Sequence, residues 1–434
     1  MRENLTRTLA PGVLAALIVS SVSLSPLANE TFPDVGFITI KSQNQVEQVR
    51  GIIDHACTKV GEKFLVSFDS YQQERLGTAG VEYKVLLHEA DPASTYIVRP
   101  LCHPEPGEVD ISTLGPTLDL GEGMQLVRIS KVAARSIAAE SQLTAVPLDQ
   151  KRIRFHYLPP MVTGAFSDIT DFPTDTLANR VSQDSIYAFD TRLEAFQTRY
   201  YLSDSIDRAR DWIVEKFQDW GYTDVTTPTF SWHGDWHYNV MAVKPGNAEP
   251  DKVIVVGGHY DSFNQQSDPM VFAPGADDNG SGTATVMELA RILADVPLRK
   301  TIIFMAFSAE EIGLIGSAAA AEEFVNAGTD IEVMYNFDMV GFTDDALWDI
   351  SVTGGLSTAY RDVTSQAATR VTSLIPIIDS SPGGSDHSSF RNQGYNVVFT
   401  IEADFNYGGW HTNQDLSSRM DFPYFAEVVK MAVA

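Results

Sequence analysis

The chain is poor in sulfur. Two cysteines among 434 residues cannot build a disulfide framework or a cysteine-rich zinc site, so any metal must be held by His, Asp and Glu. It is also poor in positive charge. Lysine and arginine number 31 against 57 Asp and Glu, a formal net charge of −26, which repels a phosphate backbone and argues against a nucleic-acid partner. With only 30 Gly and 21 Pro, 44% hydrophobic and 20% charged residues, the composition excludes collagen, low-complexity and disordered classes. Long apolar runs are missing as well. The run over residues 9–22 is broken by Pro11 and several serines, and about 20 apolar residues are needed to span a bilayer.

That short run has another reading. Arg2 and Arg7 precede it, and small residues with a cut site near Ala28 follow it, the charge-then-apolar order of a secretory signal over residues 1–28. A secreted or periplasmic protein is expected, with no membrane contact once the signal is removed. The charge is unevenly spread: residues 1–155 hold 15 basic and 18 acidic groups, residues 156–434 hold 16 and 39. This asymmetry marks a domain boundary. Residues 29–155 read as a small α+β unit with short strands at 37–40, 64–68 and 83–88. It contains both Cys57 and Cys102, either bridged in an exported chain or two buried thiols. The basic cluster Lys151, Arg152, Arg154 and the proline-containing run 158–173 read as an exposed, cleavable connection, within a linker placed at 156–184.

From residue 185 to 434 the pattern becomes helices alternating with strands. Helices are expected at 192–200, 205–220, 283–293 and 317–326, and nearly continuous apolar strands at 253–257, 301–307, 332–337 and 396–401. Such strands interleaved with helices predict an α/β fold, a twisted, mainly parallel sheet with helices on both faces. Sites in such sheets lie beyond the carboxyl ends of the strands. There the sequence places His259-Tyr260-Asp261, Glu310-Glu311, Asp338 and a loop carrying His411, with Asp277-Asp278 just before a helix. Each alone is an ordinary turn or cap residue. Together they are a converging set of zinc-ligand types. Imidazole and carboxylate suit Zn²⁺, paired cations need a bridging carboxylate, and a hydrolase needs one further carboxylate left free to move protons. Adjacent glutamates suit that division, because neighbouring side chains at a strand end point apart.

The segments GGHYDS (257–262), PGADDNGSG (274–282), FSAEEIGLIGS (307–317), NFDMVG (336–341), SDHSSF (385–390) and WHTNQD (410–415) resemble, in order and spacing, the M28 family of zinc aminopeptidases, above all the secreted bacterial leucyl aminopeptidases. The likeness runs from about residue 185 to near the end of the chain. It implies a zinc exopeptidase-like fold, preceded by a unit that resembles these enzymes' propeptides in position alone. It also implies two zinc ions per chain, one held by His259, Asp278 and Asp338, the other by Asp278, Glu311 and His411, with Asp278 bridging. Glu310 is then the general acid/base and Asp261 the carboxylate that orients His259. His387 is not a ligand in this pattern and reads as structural or rim-lining.

Met339, Ile401, Phe405 and Tyr407, with Trp410, can wall a pocket for the substrate's first side chain; ordinary core packing is the alternative for Ile401 and Met339. The expected activity is removal of apolar N-terminal residues such as Leu from peptides with a free N-terminus, by a monomer made as a zymogen. A carboxypeptidase or glutaminyl cyclase of the same family, or an inactive binding homologue, is the alternative. The first needs basic groups for a terminal carboxylate, and the metal-bearing loops offer almost none apart from Arg391.

Overall fold

A computed structural model describes residues 32–53, 56–60, 63–91, 94–100, 117–121, 124–130, 133–134, 143–148 and 174–434, except 344–346, 356, 380–383 and 404–406. The expected signal, Cys102, the basic cluster 151–154, the loop 158–173 and Phe405 lie outside the described residues. The chain divides into two compact units, the second starting at Leu158. None of the described helices is long and apolar enough to cross a membrane.

Among the described residues the first unit shows two four-stranded antiparallel sheets. Asp34–Thr39 is central in one of them, between Lys63–Phe68 and Glu82–Leu87. Two helices, Gln43–Arg50 and Ser70–Thr78, begin where side chains cap them; at the second, Asp69 and Gln72 cap each other reciprocally. Val46, Val49 and Leu76 of these helices pack with Ile38, Phe64 and Phe68 of the sheet.

The second unit carries an eight-stranded sheet. Its strands are β1 (Asp224–Thr226), β2 (Val240–Lys244), β3 (Glu249–His259), β4 (Lys300–Phe307), β5 (Asp330–Phe337), β6 (Asp349–Gly354), β7 (Ile375–Asp379) and β8 (Val397–Glu402). They lie in the order β7-β6-β8-β5-β3-β4-β2-β1. The four central strands are mutually parallel; β6 on one side and β2 on the other join them antiparallel, and β7 pairs with β6 in parallel. Alternate residues of β3 and β4 serve two cores, because successive side chains leave a strand on opposite faces. Val253, Val255, Ile303 and Met305 pack with Ala320 and Ala321 of helix Ile315–Ala327. Val256, Phe304 and Ala306 pack on the other face with helices Gln183–Glu194, Asp204–Asp219, Gly282–Leu293 and Phe422–Val433. Each large side chain buried this way contributes about 1.5–3 kcal/mol.

The helix expected at 192–200 is displaced. It spans Gln183–Glu194, and the chain is irregular beyond it, with Gln197 at φ 68°. Thr198 bridges to Ala273 and the Arg199 amide donates to Ser262 Oγ at 3.0 Å, so long-range bonding overrides the local helical pattern. The strand β2, the hairpin of Thr229–Trp232 with Asp235–Tyr238, and the helices Thr358–Val371 and Phe422–Val433 add to the expected elements.

The topology concentrates chain ends at one place. From β3 the chain crosses by helix Gly282–Leu293 to β4 on one side, then by helix Ile315–Ala327 to β5 on the other. The crevice of an open α/β sheet opens where the winding reverses in this way. Register does the rest: Gly257 lies opposite Asn336 and His259 opposite Phe307, so His259 and Asp338 end level. The first helix starts very close to β5. A Cβ on Gly282 would strike the Phe337 carbonyl oxygen and the Asn279 side-chain amide. Gly282→Ala is therefore expected to lower stability by about 1–3 kcal/mol, read as a smaller denaturant midpoint at unchanged m-value.

Candidate metal centre

His259 and Asp261 come from one strand end and, being two residues apart in extended chain, point to the same side. The ring of His259 is turned so that Nδ1 faces the Asp261 carbonyl oxygen at 3.2 Å and carboxylate Oδ1 at 3.4 Å, with Nε2 left facing inward. The carboxylate of Asp261 has a further use. It accepts the backbone N–H of Glu310 at 3.1 Å on one oxygen and that of Glu311 at 3.3 Å on the other. Asp261 thus ties β3 to the glutamate turn beyond β4. That turn leaves the strand through Ala309 at φ 58° and closes with the Gly313 and Leu314 amides donating to the Glu310 carbonyl.

Asp278 lies in the irregular helical turn Ala276–Ser281 that follows Gly275. Its two carboxylate oxygens face different histidines: Oδ1 is 3.3 Å from His259 Nε2 and Oδ2 is 3.0 Å from His411 Nε2. Asp338 Oδ1 stands 3.4 Å from His259 Nε2, and Glu311 Oε2 stands 2.8 Å from His411 Nε2. Glu310 Oε2 is more distant, 3.9 Å from His259 Nε2. Two overlapping triads result, His259–Asp278–Asp338 and Asp278–Glu311–His411, in each of which the candidate ligand atoms lie within 4.8 Å of one another. The five acids and two histidines are each at most 5% exposed. Among the described residues Asp338 Oδ1 and Glu311 Oε1 meet no hydrogen-bond partner, which is costly for a buried carboxylate unless a cation meets it. The nitrogen and oxygen donor set fits divalent zinc.

Neighbouring groups hold the ligands in these poses. Ser385 Oγ donates to Asp338 Oδ2 at 2.6 Å and accepts from Asn336 Nδ2 at 2.7 Å. Gln265 meets His411 Nδ1 at 2.9 Å, and Trp410 stacks on the His411 ring at 4.0 Å between centroids. Asp415 accepts the amides of Asp277 and Asp278 at 2.7 and 3.0 Å. Arg199, fully buried, donates to the carbonyls of Tyr260, Leu193, Pro274 and Gly275 at 2.7–3.0 Å. One guanidinium therefore clamps the strand end bearing His259 to the loop that delivers Asp278. Arg199, Gln265, Ser385 and Asp415 are not singled out by sequence patterning. Asp415 lies inside WHTNQD, whereas a buried arginine in a Thr-Arg-Tyr-Tyr stretch carries no local signal.

The remaining expected residues are also located. Asp277 turns away from the triads and accepts the Gly341 amide at 2.9 Å. His387 is buried with its ring stacked on Phe399, centroids 4.3 Å apart. Met339, Ile401 and Tyr407 form one buried cluster with Phe399, against which Phe342 and Trp410 pack. Tyr407 additionally donates its hydroxyl to Asp415 Oδ1 at 2.9 Å, so it braces the Asp278 loop as well.

Electrostatics in this cluster are set by burial and crowding. Burial alone would push the His411 ring down, but Glu311 and Asp278 outweigh it and raise it to about 10. Burial likewise opposes charge on His259, and Asp338 and Glu310 overcome it, raising that ring well above its usual range. Glu311 is pushed up to about 7 by burial and by Asp278. Asp278 goes the other way: burial would raise it, but its bonds to the two histidines hold it below the usual carboxylate range. At pH 7 the metal-free cluster therefore carries protons on both imidazoles, which ligation must remove. Zinc binding to chelator-treated protein should release about two protons or more, measured by calorimetry in buffers of different ionisation enthalpy, and should tighten as pH rises. Proton-neutral binding would contradict this arrangement.

Comparison with known proteins is consistent with this geometry. Residues 239–434 match the model of peptidase family M28. Leucine aminopeptidase 1 of Ajellomyces capsulatus is 30% identical over 281 residues, covering 59% of this chain and 71% of that protein. The enzyme of the same name from Paracoccidioides brasiliensis is 33% identical over 283 residues, with 59% and 71% covered. Among solved structures, the LapA aminopeptidase of Legionella pneumophila superposes with a TM-score of 0.61 at 18% identity, covering 79% of this chain and 97% of its own. LapB from the same organism gives 0.54 at 18% identity, with 92% and 97% covered. The structural likenesses speak to the fold, and the sequence relatives to descent. The chain belongs to peptidase family M28 and is a metal-dependent exopeptidase.

Proposed function

We propose that the protein is an exported aminopeptidase that removes apolar N-terminal residues, Leu foremost, using two zinc ions bridged by Asp278. The bridging pose of Asp278, one oxygen toward each histidine, is the observation that carries this reading. His259 and Asp338 would complete one ion's ligands, Glu311 and His411 the other's. When bound, the ions would polarise the scissile carbonyl and acidify the attacking water. Glu310 takes the proton of that water and passes it to the departing amine. Its carboxyl suits this proton transfer. Burial raises it well above the ordinary range, His259 opposes this, and Asp386, Glu311 and Asp338 add to it, so it takes up a proton more readily than an ordinary carboxylate. Asp261 positions the proton carrier through the Glu310 amide and a candidate ligand through the His259 ring.

A free α-ammonium group finds carboxylates here and an acidic surround. Met339, Ile401 and Tyr407 supply the wall for the first side chain; each methylene it seats contributes about 1–3 kcal/mol of discrimination. Asp or Glu in first position would bring another carboxylate into an anionic cleft and should be poor. Residues 1–28 act as the export signal, and residues 29–155 cover the site or assist folding until cut in or beyond 151–154. The working enzyme is a monomer.

Glu310→Gln should retain both zinc ions by elemental analysis yet lose at least about 10²-fold in kcat on leucyl peptides; near-normal turnover would mean that the wrong glutamate is assigned. Leu, Met and Phe peptides should be cleaved fastest, and N-acetylation should abolish cleavage. Release of C-terminal residues, or turnover of an acetylated leucyl peptide at a comparable rate, would move the assignment to another branch of the family. Secreted active enzyme should begin beyond residue 150 by N-terminal sequencing; full activity in a form still starting at Asn29 or Glu30 would refute the propeptide role.

A further inference from the structure

Peptide hydrolysis has two products, and the second residue of the substrate must also be seated. Its amine is the leaving group and takes its proton from Glu310, so the second residue lies on the Glu310 side of the centre. This step rests on the aminopeptidase reading above. The turn that carries Glu310 is flanked by apolar residues. Ala309 before it and Ile312 after it form a buried cluster with Phe230, and Tyr200, Tyr201 and Trp232 pack against that cluster. The wall of Met339, Ile401 and Tyr407 belongs to a different cluster, which begins beside Asp338. The candidate ligands therefore stand between two apolar groups, one adjoining Asp338 and the other adjoining Glu310.

The aromatic rings that pack on this cluster connect through Phe263 to the metal ligands. Tyr200 lies 4.8 Å from Tyr201 and 6.0 Å from Phe263, and Phe263 stands edge-on to His411 at 5.3 Å, all between ring centroids. Tyr200 also senses the centre. Burial first, then Tyr201, Asp261 and Glu311, all raise its hydroxyl pKa and keep it protonated. Phe230 and Ile312 are buried, whereas Tyr200, Trp232 and Phe263 are only half-buried, so the backing is closed while ring surface stays open.

We propose that Tyr200, Trp232 and Phe263, backed by Phe230 and Ile312, form the subsite for the substrate's second residue and select an apolar or aromatic side chain there. Neither the fingerprint segments nor the first-residue wall contains Tyr200 or Trp232. Flat rings of this kind grip a large apolar side chain and offer glycine nothing to hold.

The test is the ratio of kcat/KM for leucyl-phenylalaninamide to that for leucyl-glycinamide, measured on the zinc-loaded full chain. Both substrates share the first residue and the leaving-group chemistry, so the ratio isolates the second side chain. Wild type should favour the phenylalanyl substrate about tenfold or more, and Tyr200→Ala and Trp232→Ala should each bring the ratio several-fold closer to one. Ile401→Ala, in the first-residue wall, should lower both rates and leave the ratio where it was. If the alanine variants do not fold by circular dichroism, Tyr200→Leu and Trp232→Leu keep apolar volume and still remove the ring. A wild-type ratio near one, or ratios unmoved in both ring variants, overturns the subsite while leaving the aminopeptidase intact. Absence of hydrolysis of either amide by zinc-loaded wild type overturns the aminopeptidase reading and the subsite with it.

Discussion

Five carboxylates and two imidazoles buried within a few ångströms of one another form the constraint on which the catalytic unit depends. Asp261, Asp278, Glu310, Glu311 and Asp338 are all but removed from water, where an uncompensated carboxylate is unstable by several kcal/mol. Only two answers exist. Either the acids take up protons, as the upward shifts of Glu310 and Glu311 express, or cations stand among them. The orphaned oxygens of Asp338 and Glu311 and the two-sided pose of Asp278 favour the second answer, and the surrounding amides, hydroxyls and guanidinium are arranged to suit it.

Holding such a cluster requires backbone that ordinary elements do not supply. Ala309, Met339 and His411 adopt left-handed φ of 58°, 52° and 52°, conformations costing about 1–2 kcal/mol apiece for residues with a Cβ. Each is itself a candidate ligand or lies next to a candidate ligand or base. The parallel strands of the central sheet absorb that strain, since their cores on both faces leave the strand ends little freedom. Arg199 and Asp415 act at the remaining weak point, the loop before helix Gly282–Leu293. Without the Arg199 guanidinium four buried carbonyls each lose a charged donor, and the loop that presents Asp278 is held less firmly to the strand that presents His259.

The division of apolar residues around the centre gives the site a direction. One cluster adjoins Asp338 and the other adjoins Glu310, so two side chains of a peptide can be told apart by the group each one approaches. The negative charge of the whole chain, −26, adds attraction for a cationic terminus and falls off with salt.

Much of this was legible in the linear chain. Short apolar runs of strand length between helical stretches specified a covered parallel sheet, because only buried parallel strands are apolar on both faces. Their polar endings His259, Glu310-Glu311 and Asp338 announced a site, because strand ends in such sheets converge. The residue types and order carried the family resemblance. What patterning could not supply was anything depending on partners distant in sequence. The helix expected at 192–200 gave way because Thr198 and Arg199 bond to residues more than 60 positions away. Choosing between Asp277 and Asp278 by geometry needed the tertiary turn that aims one at both histidines and the other at Gly341. The clamp of Arg199 and the ring series from Tyr200 to His411 likewise exist only after folding, since their members share no period and no motif. Composition and local pattern determined the class, sheet and ligand types; the meeting of strand ends, loops and rings in space decided which groups face one another, because that is set by long-range register and packing and leaves no trace in any one segment.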